Sequence, residues 1–149
     1  MKMQIIVFLA LLINIFGCED DNSLENTNIL GENWKVLSIA LGNNQGEYEI
    51  LDKDYFNKDA YVLYFNLDST FNLNTSVNSY GGELNISTET KKLSFQIISG
   101  TRVGQSDDNV RETDSVLTEV FKSTTNFQIV EDNVELIGDK GIIKLKKND

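Results

Sequence analysis

Apolar and polar residues alternate in short runs along most of this chain. Trp34-Lys35-Val36-Leu37-Ser38-Ile39, Phe71-Asn72-Leu73-Asn74, Glu83–Ser87 and Lys92–Ile98 set apolar side chains on nearly every second residue. That period predicts strands with one face buried. Tyr61–Leu67 is the most apolar run and predicts a strand in the middle of a sheet. Tyr48–Leu51 reads as a short additional strand. Thr125–Val130, Val134–Ile137 and Ile142–Lys146 read as closing strands. The breaks between them carry turn chemistry: Gly42-Asn43-Asn44-Gln45-Gly46, Asp68-Ser69-Thr70, Thr88–Lys91, Glu131-Asp132-Asn133 and Gly138-Asp139-Lys140-Gly141. Asp52–Ala60 is a charged connection.

The period changes once. Val110, Thr113, Leu117, Val120 and Phe121 fall on one face at helical spacing, and Glu112, Asp114, Ser115 and Glu119 fall on the other. Asn109 with Glu112 three residues on reads as a capping box. Lys122 suits the helix C-terminus, where a positive charge meets the negative end of the dipole. The fold expected is β-dominated α+β. It is an antiparallel curled sheet or partial barrel of about eight short strands, with one amphipathic helix over an opening or face.

Between two of these strands lies Asn78-Ser79-Tyr80-Gly81-Gly82, which reads as a polar turn. The paired glycines permit positive φ or the close approach of another backbone. An aromatic ring in a turn is a candidate contact, so Tyr80, with Asn78 and Gly82, is the expected ligand-binding group. The other aromatics, among them Tyr48, Tyr55, Tyr61, Tyr64, Phe65, Phe71, Phe95 and Phe127, read first as core, since strands bury such residues routinely.

The chain opens differently. Lys2 precedes an unbroken apolar run from Ile5 to Ile13, which ends at Asn14-Ile15-Phe16-Gly17-Cys18. This is the layout of a secretory leader, too short to read as a spanning helix. Ile15-Phe16-Gly17-Cys18 resembles a bacterial lipobox, with bulky Phe16 where a small residue is usual. The resemblance implies cleavage before Cys18 and its lipidation. Cys18 is the sole cysteine, so the mature chain would hold neither thiol nor disulfide. Glu19-Asp20-Asp21 resembles the acidic tag that sends some Gram-negative lipoproteins to the cell surface, which implies an outer-membrane location. The expected division is a signal peptide over 1–17, an acidic flexible tether over 18–32, and one folded domain over 33–147.

Charge and chemistry narrow the function by exclusion. The chain carries 13 basic and 23 acidic residues, a formal charge of −10. The mature part, without Lys2, keeps 12 against 23 and carries −11. Such a balance argues against nucleic acid and against lying flat on anionic lipid. There is no histidine, so no Ser-His-Asp centre and no histidine-bearing zinc site is possible. Gly81-Gly82 lacks the Lys-Ser/Thr of a phosphate loop. Asp52-Lys53-Asp54 begins like a calcium loop, but Phe56 and Asn57 stand where a ligand and a glycine belong. The oxygens of Ser106–Asn109 read as N-capping. No cofactor or metal is expected. A hydrolase using paired carboxylates stays open as an alternative, although the acids read as solvated surface.

From Trp34 to Leu145 the order of features resembles the META domain family, that of the heat-shock protein HslJ. The features are Trp34, Asn78 with Gly82, Leu93–Thr101, Glu112, Phe121, Phe127-Gln128-Ile129 and Leu136–Leu145. Val77 stands where many members have a paired cysteine, and Ser99-Gly100-Thr101 is a loose form of the usual tail. The resemblance implies an envelope protein without catalysis, with a binding, structural or stress-related role. Its partners would be the membrane, through the lipid, and an envelope protein or small ligand. A lipocalin-like carrier of a small apolar molecule is the alternative.

Overall fold

The computed structural model describes residues 28–42, 46–50, 59–101 and 107–148. The strands are β1 (Glu32–Leu41), β2 (Glu47–Glu49), β3 (Val62–Phe65), β4 (Thr70–Asn74), β5 (Ser79–Ser87) and β6 (Lys92–Gly100). Helix α1 (Asp108–Ser123) follows, then β7 (Thr124–Val130), β8 (Asn133–Gly138) and β9 (Gly141–Lys147). All pairings are antiparallel, and β9 returns to β1, so β1 and β3–β9 close an eight-stranded barrel. The expected β-dominated fold with one helix is therefore observed.

Closure is uneven. β6 and β7 meet only at Lys92–Asn126, extended by the Phe127 amide donating to the Lys91 carbonyl at 3.0 Å. Helix α1 runs directly into β7 and packs against β1, β6, β8 and β9. Its Leu117, Val120 and Phe121 join the single core. Phe121 stacks on Phe95 with ring centroids 3.8 Å apart, and both rings meet Phe71. Aromatic side chains from helix and barrel thus fill the interior together.

β1 holds the barrel because of a bulge. Val36 faces Leu145 and Ser38 faces Lys144, so Leu37 is the extra residue and stays 43% exposed. The bulge shifts parity by one, letting Trp34, Val36 and Ile39 all face inward. The first half of β1 pairs with β3, and the half beyond the bulge pairs with β2 on the same edge.

The two ends of the barrel differ. At the base lie the turns at 66–69, 88–91 and 131–132 and the start of β1. The end of the chain is there too, where the Asn148 amide donates to Asn33 O at 2.9 Å. At the mouth lie α1, residues 75–78 and the two-residue turn Asp139-Lys140, closed by the Gly138–Gly141 pair.

Several expectations need correction. The tether does not run to residue 32: Ile29 is 1% exposed in the core and its carbonyl accepts from Trp34 Nε1 at 3.3 Å. The backbone enters the barrel by Gly31, whose amide donates to Phe65 O. Tyr61 lies outside β3 with φ 60°, and Leu67 is a turn residue, 75% exposed. Asn78–Gly82 is not a turn throughout, since β5 already begins at Ser79. The helix cap is Asp107, not Asn109: its carboxylate accepts from the amides of Asn109 and Val110 at 2.9 and 3.3 Å. Glu112 instead accepts a hydrogen bond from Tyr48 Oη at 3.0 Å.

Candidate functional site

The three residues nominated as a ligand contact serve the fold. Gly82 sits opposite a bulge in β6, where Gly81 faces Ser99 and Gly82 faces Ile97, leaving Ile98 outside. A Cβ on Gly82 would fall 1.9 Å from the Gln96 carbonyl oxygen. The close approach anticipated for the glycine pair is made by the neighbouring strand. Tyr80 packs half-buried against the core, its ring over Gly100, so close that a Cβ there would lie 2.8 Å from the ring edge. Asn78 closes the β4–β5 turn: its carbonyl accepts from the Thr75 amide at 2.7 Å and its amide donates to Thr75 Oγ1 at 3.1 Å.

The same turn leads to a buried carboxylate that the helical pattern misplaced. Asp114 is 7% exposed, not on the solvent face. Its oxygens accept from Tyr61 Oη at 3.0 Å, Thr75 Oγ1 at 2.7 Å and Ser76 Oγ at 3.0 Å. The Ser76 amide adds a long contact of 3.4 Å. The spacing held the signal, since Val110, Asp114, Leu117 and Phe121 step by four, three and four along one face. Thr113, placed on that face from sequence, instead returns its hydroxyl to Asn109 O at 3.0 Å. This enclosed cluster ties α1 to Tyr61, just ahead of β3, and to the β4–β5 turn. Its carboxylate is buried and saturated by hydroxyls, so it reads as a structural lock.

Open space lies elsewhere at the mouth. A cleft of about 280 Å³ is lined by Leu41, Gly42, Val116, Glu119, Val120, Asp139 and Lys140. Three elements build it. The end of β1 brings Leu41 and Gly42, the second half of α1 brings Val116, Glu119 and Val120, and the β8–β9 turn brings the rest. Two contacts fix that turn: the Gly42 amide donates to Lys140 O at 2.9 Å, and the Lys140 amide donates to Ser123 Oγ at 3.3 Å. Gly138 lets the turn lie against the end of α1, since a Cβ there would fall 2.5 Å from Ser123 O. The lining mixes the apolar residues Leu41, Val116 and Val120 with the charged residues Glu119, Asp139 and Lys140, and Lys140 Nζ lies 3.2 Å from Glu119 Oε2. From sequence these residues gave only a helix face and a turn. Their convergence depends on the barrel closing.

Two polar contacts brace the strand beside the mouth. Glu47 on β2 accepts from Ser38 Oγ at 2.5 Å and pairs with Lys144 at 3.2 Å. The Ser38 hydroxyl first, then Lys144, holds its carboxyl below the usual glutamate range. The Glu112 carboxylate accepting from Tyr48 pushes that phenol above its ordinary value. Among the described residues no group of three or more acidic or thiol side chains is placed to hold a metal. Cys18 and the calcium-like stretch Asp52–Lys58 lie outside the described residues.

No protein-family profile matches the chain, and no curated protein matches it significantly by sequence. Solved structures do. One is an NMR structure of a protein from Burkholderia xenovorans, with TM-score 0.60, 14% identity, and 78% of this chain and 81% of that one covered. Another is the crystal structure of a duf4847 family protein from Bacteroides vulgatus, with TM-score 0.52, 14% identity and coverage of 79% and 94%. A third, an NMR structure, has TM-score 0.54, 16% identity and coverage of 77% and 87%. At these identities the likeness establishes the fold alone, a helix-bearing β-barrel.

Proposed function

We propose that this chain is a non-catalytic, lipid-tethered envelope protein that binds its partner or ligand through the helix-bearing mouth of the barrel. The resemblance to META domains supports an envelope role. The observation that carries it is polarity. The described chain begins and ends at the base, whereas a cleft opens at the mouth. With Cys18 acylated, Asn28 lies ten positions beyond the anchor and at most about 36 Å from it. The base then lies nearer the bilayer and the mouth faces away. Display at the surface of a Gram-negative outer membrane follows from the acidic residues after Cys18. Carriage of an apolar molecule inside the barrel is the second reading, supported by the barrel fold, and requires α1 to move, since Phe121 occupies the interior against Phe71 and Phe95.

Metabolic labelling with a palmitate analogue tests the tether: the wild type is labelled and Cys18→Ser is not. Fluorophores on Glu131→Cys at the base and Asp139→Cys at the mouth test the polarity. Quenchers buried in the bilayer extinguish the first more strongly. Equal quenching of both, or an unlabelled wild type, overturns the proposal.

A further inference from the structure

We infer that the barrel opens along the seam where β6 meets β7, α1 moving with β7 away from β6, and that Asp114 latches it shut. The carrier reading supplies only the use: a parted seam lets a small apolar molecule reach Phe71 and Phe95. The seam is the weak join of the wall. β5 and β6 pair from Tyr80–Gly100 to Ser87–Lys92, and β7 and β8 pair from Thr124–Gly138 to Val130–Asn133. β6 and β7 share the Lys92–Asn126 pair and the bond from the Phe127 amide to Lys91 O. Register is the cause. Continuing this ladder up β6 would set Gln96 opposite Lys122, which is helical. Few cross-strand bonds and a short ladder mark a segment that opens before the rest.

Helix α1 belongs to the β7 side. It passes into β7 without a connecting residue. Ser123 Oγ accepts from the Lys140 amide at 3.3 Å, and Glu119 pairs with Lys140 at 3.2 Å. Towards β3–β6 the helix makes two sets of contacts. Phe121 stacks on Phe95 and meets Phe71. About two turns back, Asp114 accepts from Tyr61, Thr75 and Ser76. A helix moves as a rod, so Phe121 cannot withdraw while Asp114 keeps all three bonds. Hydrogen bonds are short and directional, so a small displacement releases them. Tyr61 also stands at φ 60°, a left-handed conformation rare for a bulky side chain. Strain of this kind gathers at switch segments.

Hydrogen exchange of single amides reads the opening without a ligand, in the full-length chain in non-ionic detergent. The Phe127 amide reports the seam. Those of Leu136 and Ile143, a buried register pair in β8–β9, report global unfolding. Phe127 is expected to exchange at least about tenfold faster than that pair, with a weaker dependence on urea, since a parted seam exposes less surface than an unfolded chain. Lys92→Cys with Asn126→Cys, in a Cys18→Ser background, staples the seam, because directly opposed strand residues suit a disulfide. Oxidation should slow Phe127 by about tenfold or more, and reduction should restore it. Asp114→Asn should speed Phe127 by about tenfold, the worth of one hydrogen bond to a charged group. Fraying of strand ends alone would leave that rate unchanged. Melting curves report whether each variant is folded, and Asp114→Asn serves if the cysteine pair does not fold. Phe127 exchanging as slowly as Leu136, or unmoved by the oxidised staple or by Asp114→Asn, would overturn the inference. A seam that opens in a chain that does not bind n-decanol would instead sink the carrier reading alone.

Discussion

Replacing Asp114 by alanine should destabilise the barrel more than any exposed acid does. The carboxylate gathers the hydroxyls of Tyr61, Thr75 and Ser76 within 2.7–3.0 Å. Alanine would leave those donors in a buried site. Thr75 has a second acceptor, Asn78 O at 3.2 Å, and would turn to it. The hydroxyls of Tyr61 and Ser76 would lose their bonds to the carboxylate. At about 1.5–3 kcal/mol for each hydrogen bond lost to the carboxylate, the expected loss is about 3–4 kcal/mol. For a domain of this size that is a fall of roughly 10–20 °C in melting temperature. Asp114→Asn keeps the volume and one acceptor and should cost about half as much. Tyr61→Phe removes one donor while the carboxylate keeps the others, which costs about 1 kcal/mol. The double variant should then be less harmful than the sum by about 1 kcal/mol or more, because each single variant already removes the same phenol–carboxylate bond. Urea unfolding followed by circular dichroism gives all four values. A loss below about 1 kcal/mol for Asp114→Ala, or strict additivity with Tyr61→Phe, would refute the structural lock.

Other outcomes follow from the same contacts. Gly82→Ala should unfold the barrel or cost more than about 3 kcal/mol, because its Cβ meets the Gln96 carbonyl at 1.9 Å. Gly81→Ala should stay within about 1 kcal/mol, because its nearest neighbour at 3.2 Å is the movable side chain of Asn72; equal effects in thermal melts would contradict the bulge. Glu47 should titrate below 4.5, the ordinary glutamate value, and Ser38→Ala should return it upward in carboxyl NMR. With the folded value depressed, its contribution is present above that ordinary value and is lost as pH falls through the folded one. Tyr48 should titrate above 10.0 and move back toward it in Glu112→Gln, read by ultraviolet absorbance. Its contribution runs the other way, present below that pH and lost as pH rises through the folded value.

Most of the strands were legible because alternation and turn residues reported the same boundaries. Phe71-Asn72-Leu73-Asn74, Lys92–Ile98 and the Gly138–Gly141 turn all appear where the pattern put them. The misses share a cause: local chemistry was right but its partner was distant. The polar run Asn78–Gly82 has turn composition, yet it is drawn into β5 by pairing with β4 and β6. Asn109 and Glu112 make a sound capping box, but Asp107 lies two residues closer to the break and takes the amides. Asp114 shares the apolar stripe by spacing, and its charge disguised it.

The order of elements, their antiparallel character, the acidic charge and the lack of histidine chemistry were set by residue identity and local period alone, because these depend on neighbours in the chain. Which end of the barrel bears a cleft, which aspartate is buried, and which glycine tolerates a methyl were decided by closure of β9 onto β1 and the lodging of α1. Those features join side chains from segments far apart in sequence, and no single stretch encodes the distance between them.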